Sequence, residues 1–302
     1  MDGVALVVGE ALVDVVESPD GSVVERPGGS AVNAAVALSR LQRPVLLATS
    51  FGPDERGRAL SEHLGASEVQ LATNPNLVQH TSLARARIGA DGAASYDFDV
   101  VWRLGPVSVT DVQVLHVCSL APLLEPGATV VAELVERLAS TTTVTYDLNV
   151  RPVITGTGPD IVRRVEELVA RADLVKASDE DLAALWPDRD GVAHLLGLGA
   201  KHVVLTRGAA GAEWVSADGE RVAVVAPAAE VVDTIGAGDT FGAAVLDAVW
   251  DDLGAGRLGA LTDQQRTAAL HHAARCAAIT VSRAGADPPW RAELDRNGEI
   301  RR

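Results

Sequence analysis

Continuous aliphatic runs recur along this chain and alternate with helical patterns. Val4 to Val8 is the first of these runs, and others follow at 44–50, 112–120, 143–149, 173–178 and 202–207. A run that is apolar at successive positions reads as a strand buried on both faces, as in a parallel sheet. Between the runs lie stretches with helical spacing at 30–41, 54–64, 128–140, 159–172 and 179–186. Strand and helix in alternation imply an α/β fold, a three-layer sandwich whose central, mostly parallel sheet is covered by helices. Ligands in such sheets bind at the carboxyl ends of the strands.

Two segments break the rhythm. Residues 14–29 read as a hairpin turning at Asp20-Gly21, and 81–98 as a longer one turning at Asp91-Gly92. In the second, Thr81, Leu83, Arg85 and Arg87 alternate with Ser82, Ala84, Ala86 and Ile88, the period of a sheet with two distinct faces. These segments, about 14–28 and 79–103, are expected to form a small β-sheet inserted in a single domain spanning 1–302. That sheet would serve as a lid over the site or as a dimer surface. The charged, proline-punctuated tail after Gly285 reads as a surface extension.

Composition narrows the class. A formal charge of −15 argues against nucleic acid or an anionic membrane as partner. An anionic ligand must then be held by local donors. Lys176 and Lys201 are the two lysines. The acidic start of the sequence and the lack of an apolar run of about 18 residues point to a cytoplasmic protein. Cys118 and Cys276 are far apart and lack metal-ligand spacing, which fits two reduced thiols.

The stretch DTIGAGDTF, Asp233 to Phe241, sets a carboxylate within nearly bare backbone. Gly236, Ala237 and Gly238 lead into a helical pattern, so their N–H groups and the positive helix end suit an anion. Asp239 falls in the first helical turn, where it could accept a proton from a hydroxyl attacking that anion. The plain alternative is a glycine turn with Asp239 favoured there by the helix dipole. Earlier, Gly28 and Gly29 precede an alanine-rich helix carrying Asn33, which could bond a hydroxyl or simply be a satisfied core amide. Neither lysine follows a glycine, which excludes a Walker-type loop. The string Gly254, Gly256, Gly259 follows a helix and reads as a loop, and His271-His272 point about 100° apart on a helix, a poor start for a shared metal.

GGSAVNAAVALSRL and DTIGAGDTF resemble the two signatures of the ribokinase-like (PfkB) carbohydrate kinases, in the same order and at a fitting separation. GPDERG, HVCSLA, YDLNVRP, VKASDEDL and VLTRGAAGA are similar to further stretches of the family, so the resemblance covers nearly the whole chain. GEALVD, YDLNVRP and KASDED are most similar to the fructokinase and 2-keto-3-deoxygluconate kinase branch.

The resemblance implies an ATP- and Mg²⁺-dependent kinase acting on the primary hydroxyl of a small sugar, fructose first. Ketodeoxygluconate kinase and ribose or nucleoside kinase are the alternatives, and a non-catalytic sugar-binding regulator is the alternative of another class. It makes Asp239 the general base and Gly236, Ala237 and Gly238 the anion hole. Asp14, Gly28, Gly29, Asn33 and Arg151 are implied on the sugar side, Arg151 having as its plain role a bond to Asp147 or Asn149. Tyr96 and Phe98 on the lid would favour a neutral ring or a base, and Arg85, Arg87 or Arg103 reaching the site would favour a sugar acid. Lys176, Ser178, Thr206, Arg207, Gly208 and Gly211 are implied at the nucleotide. Ser178 and Asp181 stand where many relatives carry Asn-x-x-Glu, with Asp181 reaching the metal through water. Potassium activation, known in parts of the family, is a further option, and the small sheet, read from its hairpins, leaves a homodimer through it open.

Overall fold

The structure, a computed structural model, describes residues 3–89, 94–253 and 256–299. In chain order the strands are β1 (Val4–Val8), β2 (Leu12–Glu17), β3 (Val23–Gly28), β4 (Val45–Ala48), β5 (Gln70–Leu71), β6 (Ser82–Ile88), β7 (Ala94–Asp99), β8 (Val112–Cys118), β9 (Thr143–Asp147), β10 (Leu174–Ser178), β11 (His202–Thr206), β12 (Ala212–Ser216) and β13 (Arg221–Val224). The helices are α1 (Ser30–Arg40), α2 (Glu55–Ala66), α3 (Gly127–Leu138), α4 (Pro152–Thr155), α5 (Pro159–Val169), α6 (Asp179–Leu185), α7 (Gly191–Leu198), α8 (Ala237–Ala248), α9 (Asp263–Val281) and α10 (Arg291–Glu299).

Nine strands form the large sheet in the order β13-β12-β11-β10-β9-β8-β1-β4-β5. From β5 to β11 every pairing is parallel, while β12 and β13 run antiparallel at the edge. Alternation along β1 shows why the runs lack a polar face. Ala5 and Val7 pack into a core shared with α1, α8 and α9, and Leu6 and Val8 into one shared with α3, α5, α6 and α7. Both faces are covered, so every position is apolar.

The small sheet has the order β3-β2-β6-β7. β2 and β3 are antiparallel with Gly21 at positive φ in their turn, and β6 pairs with β7 in the same sense. The Asp91-Gly92 turn and Gly254 lie outside the described residues. Register sorts the side chains. Asp14, Arg26, Ala84 and Phe98 stand opposite one another on one face, with Val16, Val24, Ala86 and Tyr96 beside them. The other face carries Val13, Val15 and Leu83, packed into the body.

One expectation is corrected. The tail after Gly285 is docked rather than extended, because Leu294 of α10 is buried and Arg40 lies over the Trp290 ring at 5.0 Å. No helix among the described residues is long and apolar enough to cross a membrane.

Candidate active site

The carboxyl ends of β1, β8 and β9 meet the N-termini of α1 and α8, and a buried polar cluster fills the meeting point. Gly29 precedes α1 with φ 104°, and a Cβ there would come within 2.5 Å of the Glu10 carbonyl. That conformation and contact admit glycine. The same device recurs at Gly236, φ 73°, whose Cβ would meet Ala286 at 2.4 Å. α8 begins immediately after it, so Asp239 occupies the first helical turn.

Asp239 is buried and held on three sides. Ser30 Oγ donates to Oδ1 at 2.7 Å, Asn33 Nδ2 to Oδ2 at 2.8 Å, and Asn149 Nδ2 to Oδ1 at 3.2 Å. Asn149 has φ 34°, in the left-handed region that Asn tolerates better than most residues, and this turn sends its amide toward Asp239. Asn33 keeps Oδ1 without a protein partner although buried, an acceptor suited to a ligand hydroxyl. Asp14 approaches from the small sheet, with Oδ2 within 2.5 Å of where a Cβ on Gly28 would stand. Burial pushes its carboxyl up to about 6.

Lys176 and Asp147 lie behind Gly238. Lys176 Nζ bonds both oxygens of Asp147 at 3.1 Å and sits 3.1 Å from the place a Gly238 Cβ would take. Burial works against its charge, but Asp147, Asp181 and Asp239 outweigh it and hold the ammonium pKa above the usual value. A fixed positive charge therefore stands under Gly238.

On the other side of α8 a cavity of about 540 Å³ opens, lined among others by Thr206, Gly208, Gly211, Ala237, Gly238 and Phe241. Gly208, Gly211, Ala237 and Gly238 thus share one pocket. Three residues expected at the nucleotide are outside that lining. Arg207 pairs with Glu213 at 2.7 Å, Ser178 caps α6 by accepting from Asp181 N at 3.0 Å, and Lys176 belongs to the Asp147 pair. Arg151 donates to Asn149 Oδ1 at 2.7 Å rather than to Asp147.

The arginines of the small sheet divide from its aromatics. Arg85 pairs with Glu17 at 3.0 Å and Arg87 with the same residue at 2.9 Å, on the face away from Asp14. Tyr96 and Phe98 stack with centroids 6.3 Å apart on Asp14's face. Arg103 follows β7 and lies outside the small sheet.

Among the described residues no group of three His, Cys, Asp or Glu side chains could hold a metal ion. Asp181 accepts Val150 N on Oδ1 and Ser178 N on Oδ2, both at 2.8 Å, so each oxygen has only its second lone pair for a water-mediated contact. This donor set fits a divalent cation carried in mainly by phosphate oxygens and water.

Sequence reasoning missed Glu10, Ser30 and Asn149. Ser30 and Asn149 lie inside the stretches GGSAVN and YDLNVRP, but only the fold brings both to Asp239.

Comparison with known proteins bears on the family and the fold. The family model described as pfkB family carbohydrate kinase matches residues 4–293. A fructokinase of Rhizobium leguminosarum bv. trifolii is 33% identical over 274 residues, 85% of this chain and 83% of that protein. The crystal structure of a fructokinase from Xylella fastidiosa with bound ATP superposes with TM-score 0.84 at 25% identity, covering all of both chains. A double-mutant fructokinase from Vibrio cholerae O395, with fructose, ADP and a potassium ion bound, gives TM-score 0.76 at 23% identity over 94% of each chain. A buried aspartate held beside a helix N-terminus, on a fold matched from end to end, is accounted for by descent: the chain belongs to the pfkB family of carbohydrate kinases.

Proposed function

We propose that this enzyme transfers the γ-phosphoryl group of ATP to the primary hydroxyl of fructose. The observation that carries the reading is the position of Asp239, buried between hydroxyl-binding groups on the lid side and a nucleoside-sized cavity on the other. Asp14 and Asn33 bracket the sugar hydroxyls, and Asp239 orients the attacking hydroxyl and takes its proton. The phosphorus–oxygen bond to ADP breaks as the bond to the sugar oxygen forms. The N–H groups of Gly236, Ala237 and Gly238 receive charge on the transferring oxygens, with Lys176 adding positive charge from behind. Arg151 is a second cation for those oxygens. Mg²⁺ would be held mainly by the nucleotide's phosphates, with Asp181 reached through water, and would supply further charge neutralisation. Thr206, Gly208 and Gly211 form the wall toward the nucleoside, and closure of the lid excludes water.

The fructokinase names of the relatives support fructose, and so does the lid. With Arg85 and Arg87 paired to Glu17 on the far face and Arg26 paired to Asp233 at 3.5 Å, the near face offers Phe98 and Tyr96 to a neutral sugar. This ranks ketodeoxygluconate below fructose. The regulator alternative would require Asp239→Asn to leave every cellular role intact. The decisive assay is ADP release from Mg·ATP with fructose, tagatose, ribose, ketodeoxygluconate or adenosine. Fructose is expected to be turned over fastest, and Asp239→Asn to lose about 10²–10⁴-fold in kcat; equal rates in the variant would remove the assignment. Potassium activation is tested by comparing rates in potassium and in a large organic cation, equal rates removing it. The same reading lets the lid sheet pair with a second copy through exposed Val23, Val24 and Tyr96, and a protomer mass in sedimentation would end that idea.

A further inference from the structure

We infer that the nucleoside cavity selects its donor by shape, so that purine nucleoside triphosphates as a class, and not ATP alone, serve as phosphoryl donors. The inference rests on the kinase reading above and concerns the part of the donor remote from the chemistry. Of the seventeen residues lining the cavity, eight are Ala and three Gly, and the remainder are two Val, one Pro, one Phe and two Thr. None of these has a charged, amide, imidazole or guanidinium side chain. The Thr206 hydroxyl is directed inward, donating to the Ala177 carbonyl at 3.3 Å. Thr234 belongs to the loop that leads into Gly236, on the phosphate side of the cavity. Arg207, one of the charged residues that flank the lining, is paired with Glu213, which also pairs with Arg221.

Adenine and guanine differ in hydrogen-bonding edge while sharing ring shape. A wall whose side chains are mostly methyl and methylene groups registers the shared shape and offers the edge no charged, amide or imidazole side chain. Apolar pockets reject a closely similar ligand by only about 10–200-fold, whereas a site that bonds the distinguishing group rejects its analogue by about 10⁴–10⁵-fold. The reaction itself is unchanged by the base. The bond from the γ-phosphorus to the β-phosphate oxygen breaks, the bond to the sugar oxygen forms, the hydroxyl proton goes to Asp239, and the nucleoside diphosphate leaves.

The test is kcat/KM for Mg·ATP, Mg·GTP and Mg·ITP at saturating fructose. Both alternative donors are expected within about 100-fold of ATP. If either falls further below, main-chain groups read the base edge and the inference is overturned. Calorimetry of ADP, GDP and IDP reads the same cavity without any acceptor sugar. Dissociation constants within the same range support the inference even where fructose proves the wrong acceptor, and a wider spread overturns it. Absence of binding by all three overturns it together with the kinase reading, whereas tight binding of ADP alone overturns only the inference. Ala278→Asn adds an amide to the wall and is expected to drive the ATP and ITP values apart by about tenfold or more relative to the native enzyme. An unchanged ratio would mean that the base does not lie against this wall, and would overturn the inference as well.

Discussion

Glu10 shows how much a single side chain can carry without touching the reacting atoms. Its carboxyl is buried where β1 ends, with Oε1 accepting Ser30 N at 3.3 Å and Oε2 lacking a protein partner. Burial pushes it up to about 7 from the usual 4.5, against the pull of backbone N–H groups and Arg151, and with the push of Asp239. Between those values the folded chain keeps a proton that the unfolded chain releases. Stability is therefore fully present below about pH 4.5 and is lost as pH rises toward 7, by up to about 3 kcal/mol at about 1.4 kcal/mol per unit. Glu10→Gln is neutral throughout. The variant is expected to match the native protein near pH 5 and exceed it near pH 8 in urea midpoint, and parallel pH profiles would refute this account. The same residue keeps Ser30, and through it Asp239, in place, so the variant's kcat is expected to fall by several-fold.

At the scale of elements, the lid sheet makes a prediction because its register puts Phe98 across Ala84 from Asp14. Ala84 leaves open space between an aromatic ring and a carboxylate. Phe98→Ala is expected to raise KM for the sugar about tenfold, from roughly 1.4 kcal/mol of lost apolar contact. Arg85→Ala, on the opposite face, should leave KM within twofold, and the reverse ranking in steady-state kinetics would show the lid to be turned over. The faces were readable from period-2 alternation, and six strands of the large sheet and five of the helices from apolar runs and periodicity. Other elements were hidden for definable reasons. The β12–β13 hairpin turns at Asp218-Gly219, a strong turn signal, but VLTRGAAGA was read for its nucleotide-loop likeness instead of for the strand beyond it. α7 is short, and its markers are an Asp190 cap and Gly199 just past its end. The tail's charges suggested solvent, whereas Arg40 and Arg275 donate to its carbonyls and its own Arg291 pairs with Asp247 on α8. Pair partners that far apart in sequence leave no local signal. The motifs named Asp239 and its loop, but Ser30, Asn149 and the Lys176–Asp147 pair come together only in three dimensions.

For the molecule as a whole, α8 joins two buried carboxylates with opposite surroundings. Asp239 lies at its first turn, and Asp247, two turns on and roughly 12 Å away, ties the body to its C-terminal helix. Arg43, after α1, donates to Asp247 Oδ1 at 2.6 Å, His272 of α9 bonds Oδ2 at 2.8 Å, and Arg291 of α10 bonds Oδ1 as well. Burial would raise this carboxyl, but His272, Arg291 and Arg43 outweigh it and carry it down to about 2 from the usual 3.8. The sign is the reverse of that at Glu10. Here the unfolded chain holds the proton longer, so the contribution is present above about pH 4 and is lost as pH falls toward 2, an effect of about 2 kcal/mol. Asp247→Asn removes the charge and leaves two arginines facing a neutral amide. At pH 7 the variant is expected to unfold at lower urea, by about 2 kcal/mol or more, and the gap from the native protein should narrow steadily between pH 4 and 2. A gap that stays constant with pH would mean that shape, and not charge, holds the C-terminal helix. Because the knot is two turns from the anion loop, kcat in the folded variant should remain within about threefold. A much larger loss would show that α8 passes the disturbance along its length to Asp239.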